Sequence, residues 1–267
     1  MASYTSVLSL LLSYINHAKK KDNNYIIAKQ MLQHFSKIPE VTIHDMADIC
    51  YVSSASISRF VKMLGFDTYG EFKEQCKNTI EINVDYSKDV QMAGKKEMKP
   101  LFELYTNNVI NNLNFTLEHL DYNQIERVCE YIFQSKDVYF LGLEFATLIG
   151  QHFQIKMAEL NKLIKLGTPY TEQMELLDSL SKDSVVMIAS LEGGYFYRND
   201  EIIRKIREKG CKMIVFTMNY SLKPLKDADE IILCSDNNSN TEGRISLLYI
   251  MELIIMYYYV NYKAAMQ

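Results

Sequence analysis

The chain has 267 residues, 48% of them apolar and 23% charged, an ordinary globular composition with enough length for one or two domains and a proper core. A net charge of −4 argues against a protein that grips polyanions over its whole surface. Residues 1–80 nevertheless carry nine Lys/Arg against seven Asp/Glu, so the N-terminal end is the one suited to nucleic acid.

Taken in order, residues 3–18 predict a helix with Val7, Leu8, Leu11, Leu12 and Ile15 on its apolar face. Its apolar run has no basic region before it and no small-residue cleavage pattern after it, so it is not expected to be a signal peptide. The Lys19–Asn24 cluster reads as a polar loop, and Tyr25–Phe35 as a second helix before Pro39. Thr42-Ile43-His44-Asp45 is a capping-box variant with Asp in place of Glu, opening a short helix from Ile43 to about Cys50. Tyr51-Val52 makes a tight connection to Ser53, an N-cap residue.

From Ser53 to Gly65 a helix is expected whose inward stripe is Ile57, Phe60/Val61 and Leu64. Its outward face is Ser54, Ala55, Ser58, Arg59 and Lys62: small, polar and cationic, without a carboxylate. Short side chains let a helix approach a major groove, and Arg or Lys meets guanine edges or phosphates. Two short helices, a brief turn and a polar second helix are the parts of a helix-turn-helix. Base reading is assigned to Ser54, Ala55, Ser58 and Arg59. Phosphate contact is assigned to Thr42, Ser53, Ser56, Lys62 and Lys73. A further helix runs from Thr68 to about Ile80.

Residues 81–99 are polar and aperiodic, contain Gly94 and precede Pro100, so they are the expected linker. Domains are therefore expected at 1–80 and 100–267. Helices follow at Leu101–Leu120 and Tyr122–Gln134. From Asp137 onward apolar runs of strand length alternate with helices: strands at Val138–Leu141, Lys162–Leu166, Val185–Ala189, Lys212–Phe216 and Glu230–Cys234, helices at Glu144–Glu159, Thr171–Leu180 and Asp200–Lys209, and a last helix from about Arg244. That order predicts an α/β domain with a five-stranded parallel sheet covered on both faces. Ligands of such sheets sit beyond the carboxyl ends of the strands, here Gly142–Ala146, Ser190–Tyr195 and Thr217–Leu222. The apolar run Ile245–Tyr262 approaches a membrane span, but Glu252 near its middle costs about 2.5–3.5 kcal/mol in a bilayer, so a buried or subunit-interface helix is expected. The five cysteines, Cys50, Cys76, Cys129, Cys211 and Cys234, are widely spaced, which predicts buried thiols in the cytoplasm and neither disulfide nor zinc.

The segment Val52–Phe66, V-S-S-A-S-I-S-R-F-V-K-M-L-G-F, followed by Tyr69-Gly70-Glu71-Phe72-Lys73, resembles the RpiR/MurR family of transcriptional regulators, and the second half resembles their sugar isomerase (SIS) domain. The resemblance spans nearly the whole chain. It implies an all-α helix-turn-helix domain and an α/β SIS domain. It also implies a cytoplasmic homodimer or homotetramer on double-stranded operator DNA, control of sugar metabolism, and a phosphorylated sugar as effector. The effector residues carried over are Gly142, Glu144, Ser190, Glu192, Gly193, Tyr195 and Thr217.

Here the chain departs from the family. Glu144 and Ala146 replace the second glycine and the serine after the first strand, and Glu192 and Tyr195 replace hydroxyl residues after the third. A phosphate cradle needs N–H and hydroxyl donors. One carboxylate ~5 Å from a phosphate costs roughly 3 kcal/mol at an effective dielectric of ~20. Glu144 near a helix N-terminus is instead expected to stand in for the phosphate. The SIS domain is then either a dimerisation module or takes a cationic or neutral ligand, with Tyr195, Tyr197 and Arg198 as an alternative anion site. An isomerase needs a general base, for which Glu242 and Glu252 are available. An interaction module without a DNA role is the third reading. No catalytic residue, cofactor, metal or membrane is assigned.

Overall fold

The computed structural model describes residues 6–82, 90, 94, 98–167, 170–198 and 200–263. The chain divides into two compact units, 1–84 and 85–267.

In the first unit, α1 (Val7–His17) is capped by Ser6 and α2 (Asn23–Gln33) by Asp22, whose carboxylate accepts from Tyr25 N at 3.0 Å. The cluster expected as a loop thus supplies a helix start, because Asp22 satisfies an N–H that Lys or Asn beside it does not. A 3-10 turn, Phe35–Lys37, takes over where α2 was expected to continue. Next come α3 (Ile43–Cys50), α4 (Ser54–Met63) and α5 (Tyr69–Ile82). Val7, Leu11, Ile27, Met31, Phe60 and Phe72 close one core, and Tyr14 meets Phe60 edge to face at 5.3 Å. Each such fully buried side chain contributes about 1.5–3 kcal/mol.

The expected linker is shorter than 81–99 at both ends. Helix α5 reaches Ile82, and α6 (Met98–His119) begins before Pro100. Proline is tolerated there because the N–H groups of a first turn have no intrahelical acceptor. The residues between, apart from Val90 and Gly94, lie outside those described.

The second unit continues with α7 (Tyr122–Gln134), β1 (Asp137–Gly142), α8 (Phe145–Glu159), β2 (Ile164–Leu166), α9 (Tyr170–Asp178) and β3 (Ser184–Ala189). Then come α10 (Gly194–Arg198), α11 (Asp200–Lys209), β4 (Lys212–Thr217), β5 (Glu230–Leu233) and α12 (Gly243–Tyr262). The sheet is five-stranded in the order β2-β1-β3-β4-β5, parallel throughout. Every residue of β3 is buried, and all after Ser184 are apolar, as a strand between two helical layers requires. One face packs α7, α8 and α12; the other packs α9, α10 and α11. Strand β2 is shorter than expected because Lys162 turns away and donates to the carbonyls of Phe133 and Ser135, capping the end of α7. Helix α10 was not foreseen. Neighbours of β1 lie on opposite sides, so the switch point falls between β1 and β3, at Gly142 and Ser190.

Among the described residues α12 alone is long and apolar enough to cross a membrane, with mean hydropathy 1.3. Its Leu247, Ile250, Met251, Ile254 and Tyr258 are nonetheless built into the sheet core. All five cysteines are free and buried. Burial pushes the Cys50 and Cys211 thiols up to about 11 and those of Cys76 and Cys129 to about 12, so they are inert sulfurs. Among the described residues no three His, Cys, Asp or Glu gather as metal ligands.

Candidate functional site

Two regions carry the chemistry, one in each unit. In the first, α3 and α4 are joined by Tyr51, which holds φ 56° and is 88% exposed. A non-glycine residue in the left-handed region is uncommon, and a bulky one there is strained. It makes the turn tight by letting Val52 N reach Ala47 O at 3.0 Å. The capping box on α3 is complete. Thr42 N donates to Asp45 Oδ2 at 2.9 Å, Thr42 Oγ1 donates to the same oxygen at 2.6 Å, and Asp45 N donates back to Thr42 Oγ1 at 3.2 Å. The Thr42 hydroxyl, then its backbone N–H, hold the Asp45 carboxyl below the usual range. Because the folded value is depressed, this contribution is present above the ordinary Asp range and is lost as pH falls through the folded value. Thr42→Ala is expected to lower the stability of the first unit by about 0.5–2 kcal/mol. In urea unfolding at pH 7 an unchanged midpoint would contradict this, and the difference from wild type is expected to narrow in acid.

Helix α4 starts on Ser53, whose Oγ accepts from Ser56 N at 3.2 Å. Ser53 Oγ also lies 3.0 Å from Ser56 Oγ, and Arg59 Nη2 donates to Ser56 Oγ at 3.2 Å. The three side chains form a ladder along the exposed face that orders the guanidinium. Ile57, Phe60 and Val61 are buried beneath it. Ala55, Arg59 and Lys62 are exposed, and Ser54 and Ser58 are half-buried. Two of the expected phosphate ligands have internal work instead: Thr42 closes the capping box, and Ser56 braces Arg59. Lys73 is half-buried on α5, its charge felt by Asp45. His44 was not singled out from sequence, yet its Nδ1 lies 3.0 Å from Ser54 Oγ and ties α3 to the start of α4. Only the pairing of the two helices reveals it.

In the second unit the strand edge is closely packed at its two glycines, Gly142 and Gly193. A Cβ on Gly142 would fall 2.6 Å from Ala146 Cβ, so α8 starts hard against β1. Gly193 holds φ +92° and abuts Leu222, which a side chain there would strike. Ser190 Oγ accepts from Tyr195 N at 3.1 Å within its own loop, and Thr217 Oγ1, at the end of β4, donates across to Leu191 O at 3.0 Å in the loop after β3. Tyr195 is buried, and its hydroxyl donates to Gln173 Oε1 at 2.7 Å. Gln173 Nε2 donates to the carbonyls of Gly142 and Gly167. Tyr195 is therefore an interior plug rather than part of an anion site. The side chains of Tyr197 and Arg198 lie outside those described.

The two carboxylates also differ from expectation. Glu144 is exposed with φ 47°, and its side chain makes no capping hydrogen bond to α8, so it does not stand in for a phosphate. Glu192 accepts from Asn238 Nδ2 at 2.7 Å, and Asn238 Oδ1 accepts from Gly243 N at 2.9 Å. The internal anion is Glu242, fully buried at the start of α12, accepting from Asn108 Nδ2 at 3.0 Å and Asn240 N at 2.7 Å. Asn108 is the first of three α6 residues one turn apart that grip this loop. Asn112 donates to Asn237 O and Thr116 to Cys234 O, both at 2.8 Å. Glu252, the other candidate base, pairs with His152 on the outer side of α12.

Residues 9–81 match the helix-turn-helix domain of the rpiR family and residues 131–260 match the SIS domain. An HTH-type transcriptional regulator of Providencia stuartii is 22% identical over 87% of this chain and 80% of its own length. Among solved structures, Vibrio vulnificus NanR complexed with ManNAc-6P has a TM-score of 0.52 at 14% identity, over 96% of this chain and 92% of that one. Phosphoheptose isomerase GmhA from Neisseria gonorrhoeae has a TM-score of 0.54 at 11% identity, over 60% and 99%. The SIS fold is thus common to a regulator and an enzyme.

Proposed function

Since this chain belongs to the rpiR family of helix-turn-helix transcriptional regulators with a SIS domain, we propose that it reads operator DNA with α4 and controls genes of carbohydrate metabolism from the cytoplasm. The observation that carries the reading is the Ser53–Ser56–Arg59 ladder. It presents a guanidinium, already ordered, from a capped helix whose exposed face has no carboxylate. We assign base contact to Ser54, Ala55, Ser58 and Arg59, and phosphate contact to Ser53, Lys62 and Lys73. Two copies held together by their SIS units place two such helices on the halves of a palindromic site. The test is fluorescence anisotropy with DNA from upstream of the protein's own gene. Affinity that falls as salt rises and exceeds that for random duplex is expected; equal affinity for both sequences would refute the reading.

The second unit works as a sensor or clamp rather than as an enzyme. Glu242 is sealed in with its hydrogen-bond donors, and Glu252 is paired on the outer side of α12, so neither is poised as a base at the strand edge. Gly142, Glu144, Ser190, Glu192, Gly193 and Thr217 remain the candidate effector contacts. With the Thr217 hydroxyl donating to Leu191 O and two carboxylates present, the edge suits a neutral or cationic compound better than the phosphorylated sugar expected of the family. Titration calorimetry with hexose and hexosamine phosphates is expected to give no saturable heat, and tight binding would overturn that assignment. A signal at the edge reaches α6, the helix that follows the connecting segment, through Glu192, Asn238, the backbone N of Gly243, its neighbour Glu242, and Asn108. An effector supplying about 1–3 kcal/mol of coupling alters DNA affinity about 5–150-fold.

A further inference from the structure

Lys19, Lys20 and Lys21 stand exposed in the connection between α1 and α2. Tight connections favour Gly, Pro, Asn, Asp or Ser, each for a backbone reason that lysine does not share. The one carboxylate of the connection, Asp22, is turned to α2, where it accepts from Tyr25 N. Neither turn chemistry nor packing therefore accounts for three lysines in succession. The charge balance singles them out as well. Residues 1–80 hold nine Lys/Arg against seven Asp/Glu, and without these three the remaining six cations are outnumbered by the seven carboxylates. The whole positive surplus of the reader lies in this one connection, and duplex affinity comes largely from cations set against phosphate.

The fold sets this connection beside α4. Asn24, in the first turn of α2, donates from Nδ2 to Met63 Sδ at 3.8 Å. Met63 is the last residue of α4 and is 51% exposed. It follows Arg59 by four positions, so the two share one face of the helix. Asn24 thus touches the C-terminal end of the face that carries Arg59, with Lys62 next to it. Lys21 precedes Asn24 by three residues and Lys19 by five. A chain advances at most about 3.3–3.6 Å per residue, which keeps the Lys21 Cα within about 11 Å of the Asn24 Cα and the Lys19 Cα within about 18 Å. The lysines therefore border the reading face at one end, while Ser53 and Ser54 stand at the other. A helix lying in a major groove has a phosphate strand along each side, and a cation beside the end of that helix meets phosphate rather than base edges.

We propose that Lys19, Lys20 and Lys21 form a clamp on the DNA backbone, contacting phosphates beside the bases that α4 reads. The proposal rests on the reading that α4 enters operator DNA, and it separates the source of affinity from the source of sequence choice. A salt series of anisotropy titrations on operator and random duplex tests it, comparing the full wild-type chain with the triple variant Lys19→Gln, Lys20→Gln, Lys21→Gln. Glutamine removes the charge and keeps a polar side chain, and Asp22 stays to cap α2, so the variant is expected to keep the wild-type circular dichroism and melting temperature. The slope of log affinity against log salt is expected to become shallower by about 0.9 for each phosphate released, hence by about two to three for each reader on the duplex. At about 0.1 M salt, affinity should fall at least about tenfold on both duplexes and leave their ratio as in wild type, because phosphates carry no sequence. Lys20→Gln alone should remove about 0.9 from the slope and serves if the triple variant does not fold. The control Lys182→Gln, Lys223→Gln, Lys226→Gln takes the same charge from exposed lysines of the second unit and is expected to keep the wild-type slope. A wild-type slope in the triple variant overturns the proposal and leaves the function standing. An equal loss in the control overturns it too, since net charge would then be the cause, as does a loss of discrimination between the duplexes. A wild type that prefers neither duplex, yet loses slope in the triple variant alone, would uphold the phosphate contact and sink the operator reading instead. A wild type with no affinity for either duplex overturns both.

Discussion

Arg59→Ala is expected to lower affinity for the specific site by about 1–3 kcal/mol, roughly 5–150-fold, with a much smaller loss on random duplex. The side chain stands exposed on α4, and Ser56 Oγ holds its guanidinium at 3.2 Å, while Ser53 in turn holds Ser56. A donor ordered before binding loses less entropy on contact, so truncation removes a pre-organised bond rather than a mobile one. Arg59→Lys should recover little, since a lysine cannot make the forked contact. Ser56→Ala should cost less than Arg59→Ala, because it frees the guanidinium without removing it. Lys62→Ala serves as the contrast: an even loss on all sequences and a salt slope shallower by about one. Anisotropy titrations at one salt concentration compare the four affinities, and a salt series gives the Lys62→Ala slope. Wild-type discrimination between operator and random duplex in Arg59→Ala would remove Arg59 from base reading.

Glu242→Ala should destabilise the second unit by roughly 3 kcal/mol, the scale of hydrogen bonds to a buried charge together with the donors left unpaired. Those donors are Asn108 Nδ2 and Asn240 N, and the carboxylate also faces the positive end of the twenty-residue α12. Burial alone would raise the Glu242 carboxyl. The hydrogen bonds, Asn108 first and then Asn240, outweigh it and hold the group below its ordinary 4.5. A depressed folded value means the stabilisation is complete above the ordinary value and is lost as pH falls through the folded one. Glu242→Gln keeps an acceptor but no charge, so its deficit against wild type should be largest at neutral pH and shrink in acid. Urea unfolding across that range measures it. A deficit independent of pH would mean the carboxyl is not ionised in the folded protein.

The reader was legible because its signals are local. Ser53, the Thr42–Asp45 box and the glycine after α4 each act within four residues, and the apolar spacing of Ile57, Phe60 and Val61 needs only helical geometry. The strands were legible for a similar reason: Val185–Ala189 is apolar without a break, which only a strand covered on both faces tolerates. The strand edge was not. Tyr195 and Glu192 were read as facing a ligand because their neighbours in the chain resemble a phosphate loop. The partners that decide otherwise, Gln173 and Asn238, lie 22 and 46 residues away. Glu242 was weighed as a catalytic base, whereas its principal partner Asn108 lies 134 residues off in the chain.

Element order, the parallel sheet, the reading helix and its polar face follow from short-range chemistry: caps, turn residues and the period of apolar side chains, all of which operate over a few bonds. The destinations of the polar groups follow from the tertiary structure alone. A buried carboxylate or hydroxyl takes whichever donor the packing brings to it, and that choice is made between segments far apart in the chain. The same holds for the outer side of α12, whose apolar pattern announced burial without saying against what.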